Sequence, residues 1–327
     1  MSNLEAAPAE VACRPSQIDE DASVEVLRPR EVPLGGPRAI RVQRTLPQRQ
    51  RSLIGAWCFV DHYGPVSGTR MDVPPHPHTG LQTASWLFSG LVEHRDSAGV
   101  HTLVRPGELN LMTAGAGICH SEVSVDSEPV LHGAQLWVAL PDRARDTGRD
   151  FAHYAPPPVD VPGAQARVFL GELAGSRSPI GTFTPLLGAQ IDLDAGGALQ
   201  LDIDPAFEHG VLCDQGPVRM CGTALAVGDL GYQAPGNRRL QLHNVTDRPA
   251  RVLLLGGTPF TEQLVMWWNF VGRSHDDILT YRRQWQDADD RFGDVKGYQG
   301  SVTRLPAPPL PTTRLRPRPQ PERKENR

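Results

Sequence analysis

"PPHPHTG", residues 74–80, sets two histidines, His76 and His78, one residue apart with Pro77 locked between them. A spacing of two is the strand period, so on an extended segment both imidazoles point to one face. Pro77 favours the extended reading: its φ is fixed and it lacks the N–H that a helix interior would use. Two imidazoles on one side of a strand form half of a metal site. The other half lies downstream in "GAGICHSEV", where His120 and Glu122 repeat the spacing and again share one strand face. With both strands turned inward, three imidazoles and a carboxylate meet. Cys119, between Ile118 and His120, points the other way.

Such an N3O set suits Fe(II), Mn(II), Ni(II), Co(II) or Zn(II), and Cu could displace these in a generic site. Four protein donors leave one or two positions for exchangeable ligands. A closed structural zinc is the alternative, but such sites are typically rich in cysteine. Burying four such groups without a partner would be costly, which favours a bound cation. His62, His101, His132, His153, His209, His243 and His275 are read as ordinary core or surface histidines. His94, in "VEHRDSAG", is placed at a hairpin end beside the site.

The surrounding chain is of β type. From about Glu31, runs such as "RAIRVQRTL", "WCFVDHYG", "TASWLFSG", "LNLMTAG" and "HGAQLWVAL" are strand-length and bounded by Gly, Pro, Asp or Ser. Many short strands in series imply sandwiches or barrels. "PDRARDTGRDFAHYAPPPVDVPGA" interrupts them, after which strand patterns resume at "ARVFLGEL". The halves share punctuation. Gly107 and Gly115 are spaced as Gly228 and Gly236 are, a shift of 121 residues that suggests duplication. The expected layout is an N-terminal arm (1–32), a first barrel with the metal site (33–145), a linker (146–164), a second barrel (165–258), a strand and helix (259–300) and a tail (301–327). "MWWNFV" reads as one strand. Ser274 with Asp277 forms a capping box opening a short C-terminal helix, whose Tyr281 and Trp285 pack over a barrel opening.

Composition narrows the function. The chain has 327 residues, 39% apolar and 21% charged, enough for two cores. No run approaches the roughly 18 apolar residues of a membrane span, and the acidic start "MSNLEAAPAEVACRPSQIDEDASVE" lacks the pattern of a signal peptide, so the expected location is cytoplasmic, with no membrane partner. With 33 basic against 37 acidic residues, nothing overall points to nucleic acid. Five cysteines without a C-x-x-C pair argue against a disulfide framework. The Pro/Arg-rich stretch from Ser301 to Arg327 has little apolar material and is expected to be disordered.

"HPHTG", "SGLVEHRDSAG", "RPGELNLMTAGAGICHSE" and "MWWNFV" together resemble the pirin family of the cupin superfamily, from about Pro33 to Gly300. The resemblance implies an all-β bicupin, two tandem cupin-type β-barrels, with one mononuclear metal, most often iron, held by His76, His78, His120 and Glu122. It also implies a second barrel without metal: under the 121-residue shift, Gln241 and His243 answer to His120 and Glu122. Gln82 departs from the family's common glutamate, which bears on pocket polarity. Two functions follow from the resemblance. One is a quercetin 2,3-dioxygenase, opening a flavonol-like aromatic substrate with O2 and releasing carbon monoxide, with Glu122 as the catalytic base. The other is a non-catalytic, iron-dependent regulator acting on a protein partner. Phe59, Trp86, Leu111 and Met112 are candidate pocket walls that ordinary barrel packing would also require. A monomer is expected.

Overall fold

The computed structural model describes residues 11–13, 24–34, 40–68, 70–125 and 130–315. Two all-β barrels follow one another, each a seven-stranded antiparallel sheet beside a four-stranded one. In the first, the large sheet runs in the order Asp150–Tyr154, Leu109–Thr113, Leu81–Ser89, Val130–Ala139, Trp57–Ser67, Ile40–Leu46, Arg30–Leu34. Its small sheet is Asp72–His78, Ile118–Ser124, Val92–Asp96, His101–Val104. The second barrel repeats this plan, with Glu25–Leu27 at one edge of its large sheet beside Leu230–Gln233.

These edges revise the expected boundaries. The segment expected as a linker carries a strand of each barrel: Asp150–Tyr154 pairs with Leu109–Thr113, and Val159–Val161 pairs with Ala164–Leu170. The connection shrinks to residues 155–158, where three consecutive prolines supply no N–H to a ladder. The expected N-terminal arm likewise contributes strands from Glu25 onward, and Val11–Cys13 pairs with Leu264–Trp267. The rest of the arm, residues 1–10 and 14–23, lies outside the described residues.

Duplication is visible in the turns. Gly107, Gly115, Gly228 and Gly236 all have positive φ, a conformation that side chains with a Cβ rarely adopt. At Gly115 a Cβ would lie 1.9 Å from the Thr147 carbonyl oxygen, so glycine is required there. The strand after the turn, however, does not keep the 121-residue register. Gln241 and His243 are exposed, while Leu240 and Leu242 are buried opposite Leu201 and Leu199. A one-residue slip inverts every side chain of a strand. The inward positions of the second barrel are therefore aliphatic.

The two large sheets pack face to face through Val60, Ala84, Leu111 and Leu136 from one barrel and Phe169, Leu212, Leu253 and Leu255 from the other. Trp86 belongs here: its Nε1 donates to Gln190 Oε1 at 2.9 Å, and its ring lies 4.5 Å from that of Phe169. "MWWNFV" forms a hairpin, Leu264–Trp267 with Phe270–Gly272, because Trp268 takes a positive φ at the turn. The helix His275–Gln286 opens with the expected capping box: the Ser274 hydroxyl accepts from Asp277 N–H, and the Asp277 carboxylate accepts from Ser274 N–H. Ile278, Tyr281 and Trp285 are buried with Phe270 and Phe292, and Cys119 packs into the same cluster, on the face away from His120.

The tail is a further correction. Residues 301–315 are placed and lie along the helix: Trp285 Nε1 donates to the Leu305 carbonyl at 2.8 Å, and Arg304 stacks 3.5 Å above the Trp285 ring. Leu305 N–H donates to the Pro75 carbonyl at 2.8 Å, and Leu315 is buried. Proline pre-restricts such a segment, lowering the entropy lost on docking. Residues 316–327 of the expected tail lie outside the described residues. Among the described residues no helix is long and apolar enough to cross a membrane.

Candidate metal centre

Strands Asp72–His78 and Ile118–Ser124 are hydrogen-bonded neighbours with His76 opposite His120 and His78 opposite Ile118. All three imidazoles are fully buried, with ring centroids 4.3 to 5.1 Å apart. His78 Nε2 and His120 Nε2 are 3.1 Å apart, close to the roughly 3.3 Å expected of two nitrogens sharing a tetrahedral ion at about 2.0–2.1 Å. His76 Nδ1 lies 2.8 Å from the Pro74 carbonyl, which fixes its proton there and leaves Nε2 buried without a hydrogen-bond partner. Burial pushes the His76 imidazole down to about 3 and holds His78 and His120 well below the usual histidine range. At neutral pH the three rings are uncharged donors, and an unpartnered buried lone pair fits a cation.

A register shift between His120 and Glu122 interrupts the ladder on this strand. A carboxylate oxygen of Glu122 lies within 4.8 Å of ring nitrogens of His120 and of His94, a residue directly across the ladder on Val92–Asp96. The three expected histidines thus converge as one donor group, and Glu122 belongs to a second group that shares His120. His94 lies on Val92–Asp96, two residues before the strand ends in the hairpin turn that leads into His101–Val104. It is buried, its Nδ1 3.4 Å from His120 Nδ1 and its Nε2 3.2 Å from Asp96 Oδ2.

Facing this sheet, the large sheet presents an ordered row. Asp61, Gln135, Ser85, Asn110 and His153 are successive cross-strand neighbours. The Ser85 hydroxyl stands 3.0 Å from Gln135 Oε1 and 3.4 Å from Glu122 Oε1, linking the row to the carboxylate. The adjacent row is Phe59, Trp137, Thr83, Met112 and Phe151. Trp137 meets the His78 ring edge-on at 5.2 Å, and Phe59 stacks on Trp137 at 4.0 Å. Burial, and then the charge of Glu122, hold the Tyr63 phenol above its usual range, so it stays protonated. Of the four candidate walls, Phe59 and Met112 fall in this row; Trp86 and Leu111 alternate onto the barrel–barrel face. Gln82 also alternates away from Ser85 and donates to Thr113 Oγ1 at 2.9 Å, so it bears little on pocket polarity.

His94 lies beside the histidine cluster, as expected from the sequence, whereas Ser85, Gln135 and Trp137 carry no short-range spacing signal. His62 and His132, expected to be ordinary histidines, meet Asp214 at the barrel–barrel boundary.

The family model described as Pirin matches residues 39–138, and that for the pirin C-terminal cupin domain matches 188–293. The chain is 44% identical over 286 residues to a Pseudomonas aeruginosa protein whose provisional name is quercetin 2,3-dioxygenase, covering 86% of this chain and 89% of that one. It is 33% identical to a pirin-like protein of Caulobacter vibrioides, covering 75% and 88% of the two chains. The crystal structure of a quercetin 2,3-dioxygenase from Acinetobacter baumannii superposes with a TM-score of 0.84 at 39% identity, covering 89% of this chain and 96% of that one. These relatives and the histidine cluster suggest a divalent metal in the first barrel.

Proposed function

Since the chain belongs to the pirin family of bicupins, we propose that its first barrel is a dioxygenase centre of the quercetin 2,3-dioxygenase type, with Fe(II) held by His76, His78, His120 and Glu122. The observation that carries this reading is the convergence of three buried, neutral imidazoles, one with an unpartnered nitrogen, beside a buried carboxylate. A bound Fe(II) supplies Lewis acidity and one-electron redox chemistry towards O2.

The chain's own groups do the rest. Glu122 accepts the proton of the substrate's enolic hydroxyl, and the Gln135–Ser85 pair orients that carboxylate. Trp137, backed on one face by Phe59, whose other face Arg44 covers, turns its remaining face to a flavonol ring and excludes water there. Trp137 Nε1 and Asn110 Nδ2 are buried without hydrogen-bond partners, which suits them to receive substrate oxygens.

The test is metal analysis of protein purified without chelators, followed by an anaerobic Fe(II) reload and simultaneous measurement of quercetin loss and O2 uptake. Stoichiometric consumption of both supports the proposal. Iron bound in the first barrel without O2 uptake across a series of flavonols would refute it and direct attention to a protein partner.

A further inference from the structure

A second group of metal-ligating side chains lies outside the first barrel's centre, where the two barrels meet. His62 comes from Trp57–Ser67 and His132 from Val130–Ala139; Asp214 comes from Glu208–Gln215 of the other barrel. His62 Nε2 and His132 Nε2 each lie 2.6 Å from the same oxygen, Asp214 Oδ1, and 3.3 Å from each other. The other oxygen, Oδ2, accepts from Arg251 Nε at 2.5 Å. All three donors are buried, and Phe88 packs over them, 4.8 Å from the His132 ring with Arg251 stacked on it at 4.2 Å.

We propose that this cluster is a second divalent-cation site, of the zinc class, joining the barrels through His62, His132 and Asp214. Two nitrogens at about 2.0–2.1 Å from a tetrahedral ion stand about 3.3 Å apart, the separation found here. Without an ion, two N–H groups at that separation must converge on one carboxylate oxygen, crowding their hydrogens. An ion takes the place of both Nε2 protons, which pass to Nδ1 of the same ring or to solvent, after each nitrogen–oxygen distance opens by roughly 0.6 Å. Arg251 occupies Oδ2 and so presents Oδ1 as a single donor, a supporting contact common around metal ligands. The guanidinium also makes the site more positive, so a solvent-derived anion or hydroxide completes the coordination, and affinity is lower than at the three-histidine centre. His132 and Arg251 keep 8% and 18% of their side-chain surface exposed, marking the side from which that ligand enters. The proposal does not depend on the dioxygenase reading.

The test is a Zn(II) titration of chelator-stripped full-length protein against a chromophoric competitor, with bound metal counted after gel filtration. The wild type should bind two equivalents, the second more weakly, and His132→Gln should bind one. A His78→Gln/His120→Gln double variant, in which the barrel–barrel cluster is untouched, should also retain one. Two equivalents in His132→Gln, or none in the double variant, would each overturn the proposal.

Discussion

Replacing Ser85 by alanine tests whether the large sheet governs the carboxylate on the small one. Its hydroxyl lies 3.4 Å from Glu122 Oε1 and 3.0 Å from Gln135 Oε1, and under the proposed ligation Glu122 presents its other face to the metal. Removing a partner that orients a metal-binding carboxylate typically lowers metal affinity by about 10–100-fold. At 3.4 Å the contact is near the outer limit for a hydrogen bond, so the expectation is the lower end, about tenfold or roughly 1.4 kcal/mol. Alanine removes a single oxygen, so the fold should lose only about 1 kcal/mol. The assay is competitive metal titration of the first centre in wild type, Ser85→Ala and Gln82→Met. Gln82 is three residues away on the same strand but faces the other way, bonded to Thr113. Ser85→Ala alone should weaken binding. Affinity within twofold of wild type, or an equal loss in Gln82→Met, would refute the orienting role.

Four further outcomes follow from the geometry. Burial pushes His209 down to about 4, so the folded protein disfavours its protonation; stability is complete above the unfolded pKa and is lost as pH falls from about 6.5 towards 4. The contribution lost at pH 5 is about 2 kcal/mol, and urea denaturation at pH 7.5 and 5 should show a smaller pH effect by that amount in His209→Gln. Gly115→Ala should cost at least about 2 kcal/mol, through its positive φ and the Thr147 carbonyl 1.9 Å from the new Cβ, and a near-wild-type melting temperature would contradict this. Truncation after Gly300 strips Leu315 from its buried site and the Leu305 carbonyl from Trp285, and should lower stability by on the order of 3 kcal/mol in thermal or urea melts. His76→Ala combined with Glu122→Ala should lower bound metal by one equivalent while the second barrel stays folded, as metal counting with circular dichroism would report.

How much of this was legible beforehand depended on the range of the interaction. His76 with His78, and His120 with Glu122, are pairs within single strands, so the strand period alone placed each pair on one face, and barrel closure then brought the imidazoles together. The positive-φ glycines and the Ser274 capping box are equally local. The tail's placement had no local signature because its few apolar residues, Leu305, Ala307, Leu310 and Leu315, are scattered among prolines, and they find a cluster on the helix together with backbone carbonyls and arginine stacking on Trp285. Ser85 and Trp137 reach the site from two further strands, and their identity as neighbours depends on sheet order rather than spacing.

The amino-acid sequence by itself determined the β character, the duplication and the three-histidine motif, since each rests on contacts within a few residues of chain. Tertiary structure alone decided the register of the second barrel: a one-residue difference after the glycine turn faces Leu240 and Leu242 inward and exposes Gln241 and His243. It also decided the exchange of edge strands and the meeting of His62 and His132 with Asp214, 152 residues from His62. Such contacts exist only once two large sheets pack, because loop closure over that length is offset by burial of the whole interface and by no single local preference.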